Sequence, residues 1–155
     1  MPETELAGLP DEVVRLLSDP PAVGGRQAVQ PLLTVDDQGC PHATLSSARQ
    51  WWIGDRRLVC VLTAGRTSGY LSRRPQALLL VVGARQAYSV RLHATGIQEV
   101  EDRRVAVVFD VTAVQSDSRG VALTPALFQV TDELARQERI GDRAAAIAAQ
   151  LAQRR

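Results

Sequence analysis

Arg66, Thr67 and Ser68 stand just after a glycine that ends an apolar run, Leu58-Val-Cys-Val-Leu-Thr63. They open a short helical stretch that stops at Arg73-Arg74-Pro75. A strand that turns through Ala64-Gly65 into a helix start gathers an arginine, two hydroxyls and free backbone N–H groups at one point. The N–H groups of a first helical turn have no partner within the helix, and the helix dipole favours negative charge there. This arrangement suits an anion, above all a phosphate. No other stretch of the chain offers a comparable place for chemistry.

The other reactive side chains are scattered. Ser46-Ser47 has no histidine and acid at nucleophile spacing, which argues against a hydrolase. Cys40 lies in a turn and Cys60 in a strand, and neither joins a cluster with metal-ligand spacing, so no metal site is expected. His42 and His93 fall on polar strand faces. His93 is the better placed of the two for an axial haem ligand. Arg73-Arg74 and Arg103-Arg104 read as helix-end and turn charges. Arg49 precedes Trp51-Trp52, and two readings stay open for that group: indoles that cover a ring or a partner surface, or indoles that close the end of a barrel.

Composition narrows the function further. The 155 residues are 45% hydrophobic, enough for one domain with its own core. A net charge of +1 gives no electrostatic basis for nucleic acid or a membrane surface. The chain has no lysine, so any phosphate clamp must be built from arginine, hydroxyls and backbone. No apolar run approaches the roughly 20 residues of a membrane span. The acidic opening Met1-Pro-Glu-Thr-Glu5 lacks the layout of a signal peptide, and a cytoplasmic setting is the expectation.

Most of the chain that must position the helix start reads as strand. One domain over 1–155 is expected: an arm and helix over 1–27, a barrel over 28–124 and a helical segment over 125–155. Residues 1–9 read as a loose arm and Pro10 to Leu17 as a helix, ended by Asp19-Pro20-Pro21. Strands are expected over 28–35, 41–48, 57–63, 77–82, 88–100 and 105–115, with a short seventh at Val121 to Leu123. Asp36-Asp-Gln-Gly39 has hairpin-turn chemistry. Val90, Leu92 and Ala94 alternate with Ser89, Arg91, His93 and Thr95, the period of a half-buried strand. Val105 to Val114 is apolar in both registers, which implies burial on two sides and is read as support for a second copy covering one of them. From Asp132 the Ala-rich composition and Leu134, Ile140, Ile147 and Leu151 predict one helix broken near Gly141, or two short ones. Consecutive strands with tight turns and a single internal helix predict a mainly β fold: a barrel of six to seven antiparallel strands with flanking helices and a C-terminal helix.

These residues carry a resemblance. Leu32-Leu-Thr-Val-Asp-Asp-Gln-Gly-Cys-Pro-His42, Thr63-Ala-Gly-Arg-Thr-Ser-Gly-Tyr-Leu-Ser-Arg-Arg-Pro75 and Tyr88-Ser-Val-Arg-Leu-His-Ala-Thr-Gly96 come in the order and spacing of the pyridoxamine 5′-phosphate oxidase-like split barrels. The resemblance covers roughly residues 28 to 116. It implies a split barrel that works as a homodimer, holds FMN at the subunit interface and acts on a small-molecule substrate as an oxidoreductase. Some relatives use a deazaflavin and some bind haem. The implied cofactor residues are Thr44, Arg49, Thr63, Arg66, Thr67 and Ser68. At two of the family's four basic positions this chain has threonine, Thr44 and Thr67, which leaves a non-catalytic binding module with an eroded phosphate site as the rival. The oxidase's C-terminal substrate motifs are absent, so vitamin B6 oxidation is not expected. The resemblance names no catalytic side chain, because in flavin chemistry the cofactor carries the hydride.

Overall fold

The computed structural model describes residues 8–18, 26–54, 57–100, 103–129, 133 and 142–153. Most of the arm expected over 1–9, the Asp19-Pro20-Pro21 stop and the break near Gly141 lie outside the described residues. Among the described residues, three α-helices and eight strands follow one another in the order α1 (Asp11–Ser18), β1 (Arg26–Val35), β2 (Pro41–Ser47), β3 (Trp51–Ile53), β4 (Arg57–Thr63), α2 (Arg66–Arg73), β5 (Gln76–Val82), β6 (Ala87–Glu99), β7 (Arg104–Asp117), β8 (Leu127–Gln129) and α3 (Asp142–Gln153). The mainly β reading holds.

Every strand pairing is antiparallel. The sheet runs β2-β1-β5-β6-β7-β4-β3 and curls into a half-barrel, with β8 paired to the start of β1. The β1–β2 hairpin turns where glycine and aspartate chemistry requires it. Gly39 has φ 85°, and the Asp36 carboxylate accepts the Gln38 and Cys40 backbone N–H groups at 2.9 Å each. Two details depart from the sequence reading. The short late strand lies at Leu127–Gln129, not at 121–123, and Trp51–Ile53 is a strand of its own on the sheet edge.

The concave side holds the main core. Leu32, Leu58, Cys60, Leu62, Leu79, Val81, Val90, Leu92, Val107 and Phe109 meet there, with Val13 and Leu17 of α1 closing one end and Leu71 of α2 packed in from the split. Alternation along β6 behaves as its period requires: Val90 and Leu92 are buried, while Arg91 and His93 are exposed. The two-register pattern of β7 has a cause inside the chain. Ala106 of β7 and Val59 and Val61 of β4 turn outward and are covered by Ala148 and Ala152 of α3. The small alanines let the helix come so close that a Cβ on Gly54 would overlap the Ala152 carbonyl oxygen.

Candidate functional site

The helix start lies in the connection from β4 to β5, two strands that β6 and β7 separate in the sheet. Thr63, the last residue of β4, is exposed, and Ala64 is tied back by its N–H to the Arg103 carbonyl at 2.6 Å. Gly65 caps α2. Its N–H donates to the Ser68 hydroxyl, and that hydroxyl donates to the Gly65 carbonyl, both at 3.1 Å. Ser68 therefore spends its one proton on its own turn. Arg66 is exposed, and its guanidinium has no hydrogen bond or ion pair among the described residues. Thr67 points the other way, is only 8% exposed, and meets Thr44 of β2, with the two hydroxyl oxygens 2.5 Å apart.

The contact recurs along the helix. Tyr70 meets His42 edge to face with ring centroids 5.2 Å apart. One turn on, Arg73 grips Asp37 of the hairpin through two bonds, Nε to Oδ1 at 2.6 Å and Nη2 to Oδ2 at 3.0 Å, and lies 5.8 Å over the Tyr70 ring. Residues 67, 70 and 73 thus face 44, 42 and 37, so α2 descends from the middle of β2 toward the hairpin turn, antiparallel to the strand.

The six expected cofactor residues fall in three places. Thr63, Arg66 and Ser68 share the β4–α2 turn, Thr44 joins Thr67 under the helix, and Arg49 lies in the 3₁₀ turn after β2 with its side chain exposed. What this set can hold follows from counting donors. The pair of threonines has two protons, one spent between them and one left over. Arg66 and the first-turn N–H groups add a full positive charge and the positive end of a dipole. These donors fit an anionic group, with Arg66 the one side-chain cation at the helix start and Arg49 the second cation of the set, beyond β2, where the resemblance implied a denser cluster.

Other candidates resolve differently. Trp51 is a core residue, 4% exposed, tilted on Phe109 at 6.0 Å, and its indole N–H donates to the Ser46 hydroxyl at 2.9 Å. Trp52 packs with the group under α3. Trp51 therefore fits the barrel-closing reading, whereas Trp52 packs on the outer face of the sheet. Burial pushes the Cys60 thiol up, so it stays protonated, while Cys40 is exposed in the hairpin turn. Among the described residues no three His, Cys, Asp or Glu side chains group as metal ligands. No helix among them is long and apolar enough to cross a membrane.

No protein-family model matches the chain, and no curated protein matches it in sequence. Solved structures do match. The flavin reductase of styrene monooxygenase from Pseudomonas putida S12 is 10% identical, with a TM-score of 0.52 over 68% of this chain and 87% of that one. A Clostridium acetobutylicum protein of the pyridoxinephosphate oxidase family, related to general stress protein 26 of B. subtilis, is 12% identical, with a TM-score of 0.51 over 69% and 88%. The fold is that of the pyridoxamine 5′-phosphate oxidase-like split barrels. An F420 reductase superposes on the same split barrel at 15% identity and a TM-score of 0.50, over 59% of this chain and 91% of that one. At such identities the likeness is one of fold. Tyr70, which seats α2 on β2, escaped the sequence reading because nothing in its neighbours marks it as the partner of a histidine on another element.

Proposed function

We propose that this split barrel is a flavin-dependent oxidoreductase, with FMN the favoured cofactor, acting on a small-molecule substrate. The reading is carried by the start of α2, where an arginine with no side-chain partner among the described residues stands beside a hydroxyl pair drawn from two elements. Arg66 and the first-turn N–H groups would hold the anionic end of the cofactor, with Thr63, Ser68 and the Thr44–Thr67 pair around it and Arg49 beyond β2. A bound flavin supplies the hydride transfer. The chain binds it, orients it and excludes water.

A homodimer belongs to the same proposal. α3 covers the outer face of β4 and β7, whereas the outer face of β2, β1 and β5 has Leu45 at 59% exposure, with Leu33, Leu78 and Leu80 half-buried beside it. An apolar face of this kind suits a second copy. Sedimentation of the full chain is expected to give twice the 16.8 kDa chain mass. A monomer at micromolar concentration would remove the interface and with it the flavin site that the resemblance implies.

The Thr44–Thr67 bond favours a second reading, a deazaflavin reductase or a non-catalytic module for haem or another ligand. Absorption spectra after incubation with FMN, a deazaflavin and haem separate these. A bound-flavin spectrum with FMN supports the lead, while a haem band or an unchanged spectrum with every flavin would replace it.

A further inference from the structure

The concave face of β1 carries three polar atoms with no partner. Nε2 and Oε1 of Gln30 and Oγ1 of Thr34 are buried and make no hydrogen bond. The residues are 1% and 2% exposed. Unsatisfied groups at this depth cost free energy in proportion to the water they have lost. Natural cores rarely keep them without a reason.

Their position gives the reason. Gln30, Leu32 and Thr34 share the concave face of β1 and stand opposite Ser46, Thr44 and His42 of β2. α2 lies on this face, Thr67 against Thr44 and Tyr70 against His42. Thr34 is therefore under the Tyr70 end of the helix. Going backwards from Thr67, the start of α2 points toward the Gln30–Ser46 pair. The Ser46 hydroxyl has no proton left for the Gln30 side chain, because it donates to the Gln30 carbonyl, and it also accepts the Trp51 indole N–H. The orphaned groups flank Thr44 on both diagonals, beneath the helix whose own start is the candidate anion site.

We propose that this strip is a binding subsite for an uncharged polar part of a ligand, closed in this structure by α2 acting as a lid. Gln30, Thr34, His42, Thr44 and Ser46 include no carboxylate and no arginine, so the strip suits a neutral group with both donors and acceptors, such as a polyol chain or a ring imide. Parting Thr67 from Thr44 opens the lid at its N-terminal end, while the Asp37–Arg73 pair holds the other end as a hinge. Opening breaks the Thr44–Thr67 bond and draws Tyr70 off His42 and Leu71 out of the core, and in return it lets three stranded atoms find partners. The subsite adjoins the anion site of the proposed function and rests on that reading for its ligand, but the lid does not.

Hydrogen exchange followed by mass spectrometry on the full chain tests the lid without any ligand. The amides of residues 66–73 are expected to exchange at least tenfold faster than those of β6 and β7. Thr34→Val, which keeps the shape and removes the stranded hydroxyl, is expected to slow α2 exchange severalfold, and Gln30→Leu to do the same. Exchange of α2 at the rate of the central strands, or unchanged by Thr34→Val, overturns the lid, and Thr34→Val serves alone if Gln30→Leu does not fold. Riboflavin, an uncharged probe with a polyol and an imide, is expected to bind several times more weakly to both variants. An affinity equal to that of the unsubstituted protein overturns the subsite. Loss of the flavin reading would show separately, as no flavin spectrum at all beside an α2 that still exchanges fast.

Discussion

Thr44 and Thr67, on two elements that never pair as strands, hold their hydroxyl oxygens 2.5 Å apart. Both stand where the resemblance implies basic residues, and they satisfy each other. A single threonine among cations would leave a clamp short by one contact. Two that bond together form a neutral closure, and Arg66 stays as the cation at the helix start.

Arg66→Ala is expected to weaken FMN by about 1.5–3 kcal/mol, the scale of a charged hydrogen bond. Riboflavin, which has no phosphate, should lose much less. Flavin-fluorescence titrations of both ligands check this, and equal losses would show that Arg66 does not touch the phosphate.

Thr67→Lys restores a cation at the helix start and breaks the threonine pair. It is expected to tighten FMN by up to about 2 kcal/mol, part of which moderate salt removes. The same titration at low and moderate salt measures it. No gain at either salt would mean that the space beside Thr44 does not receive a phosphate.

The Gly54 contact gives a prediction about packing. Gly54→Ala would drive a methyl into the Ala152 carbonyl, so α3 must shift off β4. A loss of about 1–3 kcal/mol is expected, in the range for overpacked sites. Thermal melts should show it, together with greater protease access to α3. A melting temperature equal to that of the unsubstituted protein would mean that α3 yields at Gly54 without cost.

Tyr88 gives a pH dependence. Its hydroxyl donates to Glu12 of α1 at 2.6 Å, and that bond, burial and the negative charge of Glu12 together push its pKa from 10.0 up to about 12. The folded value lies above the unfolded one, so the stabilisation is whole below pH 10 and fades as the pH rises toward 12. Denaturant melts from pH 8 to 12 should therefore fall in that upper window. Tyr88→Phe should start about 1–2 kcal/mol lower and lose less across it. A parallel decline in both proteins would assign the alkaline loss to other groups.

The fold was legible because its signals are local. The Asp36–Gly39 turn, the alternation of β6 and the Gly65–Pro75 helix each depend on neighbours in the chain, and the main boundaries fall within a residue or two of their expected places. Trp51–Ile53 was missed as a strand because three residues cannot display a period. The second buried side of β7 was legible as a fact, but its owner, α3, was not, since alternation says nothing about what lies above a face. Of the site, the helix start could be read from residue types. The Thr44–Thr67 bond and the stranded atoms of Gln30 and Thr34 depend on how a helix lies across two strands, which no spacing in the chain encodes.

The order of the strands also decides how the molecule must assemble. β5, β6 and β7 form a meander whose partners are close in sequence, but Leu32 meets Leu79 and Val59 meets Val108, each across roughly fifty residues. Local hairpins form in microseconds, and long-range pairings set the rate, so refolding on the millisecond-to-second scale is expected. α2 lies in the connection from β4 to β5, two strands that reach the sheet by these separate routes. It cannot seat until both have arrived, so its docking is expected to follow the long-range pairings rather than nucleate them.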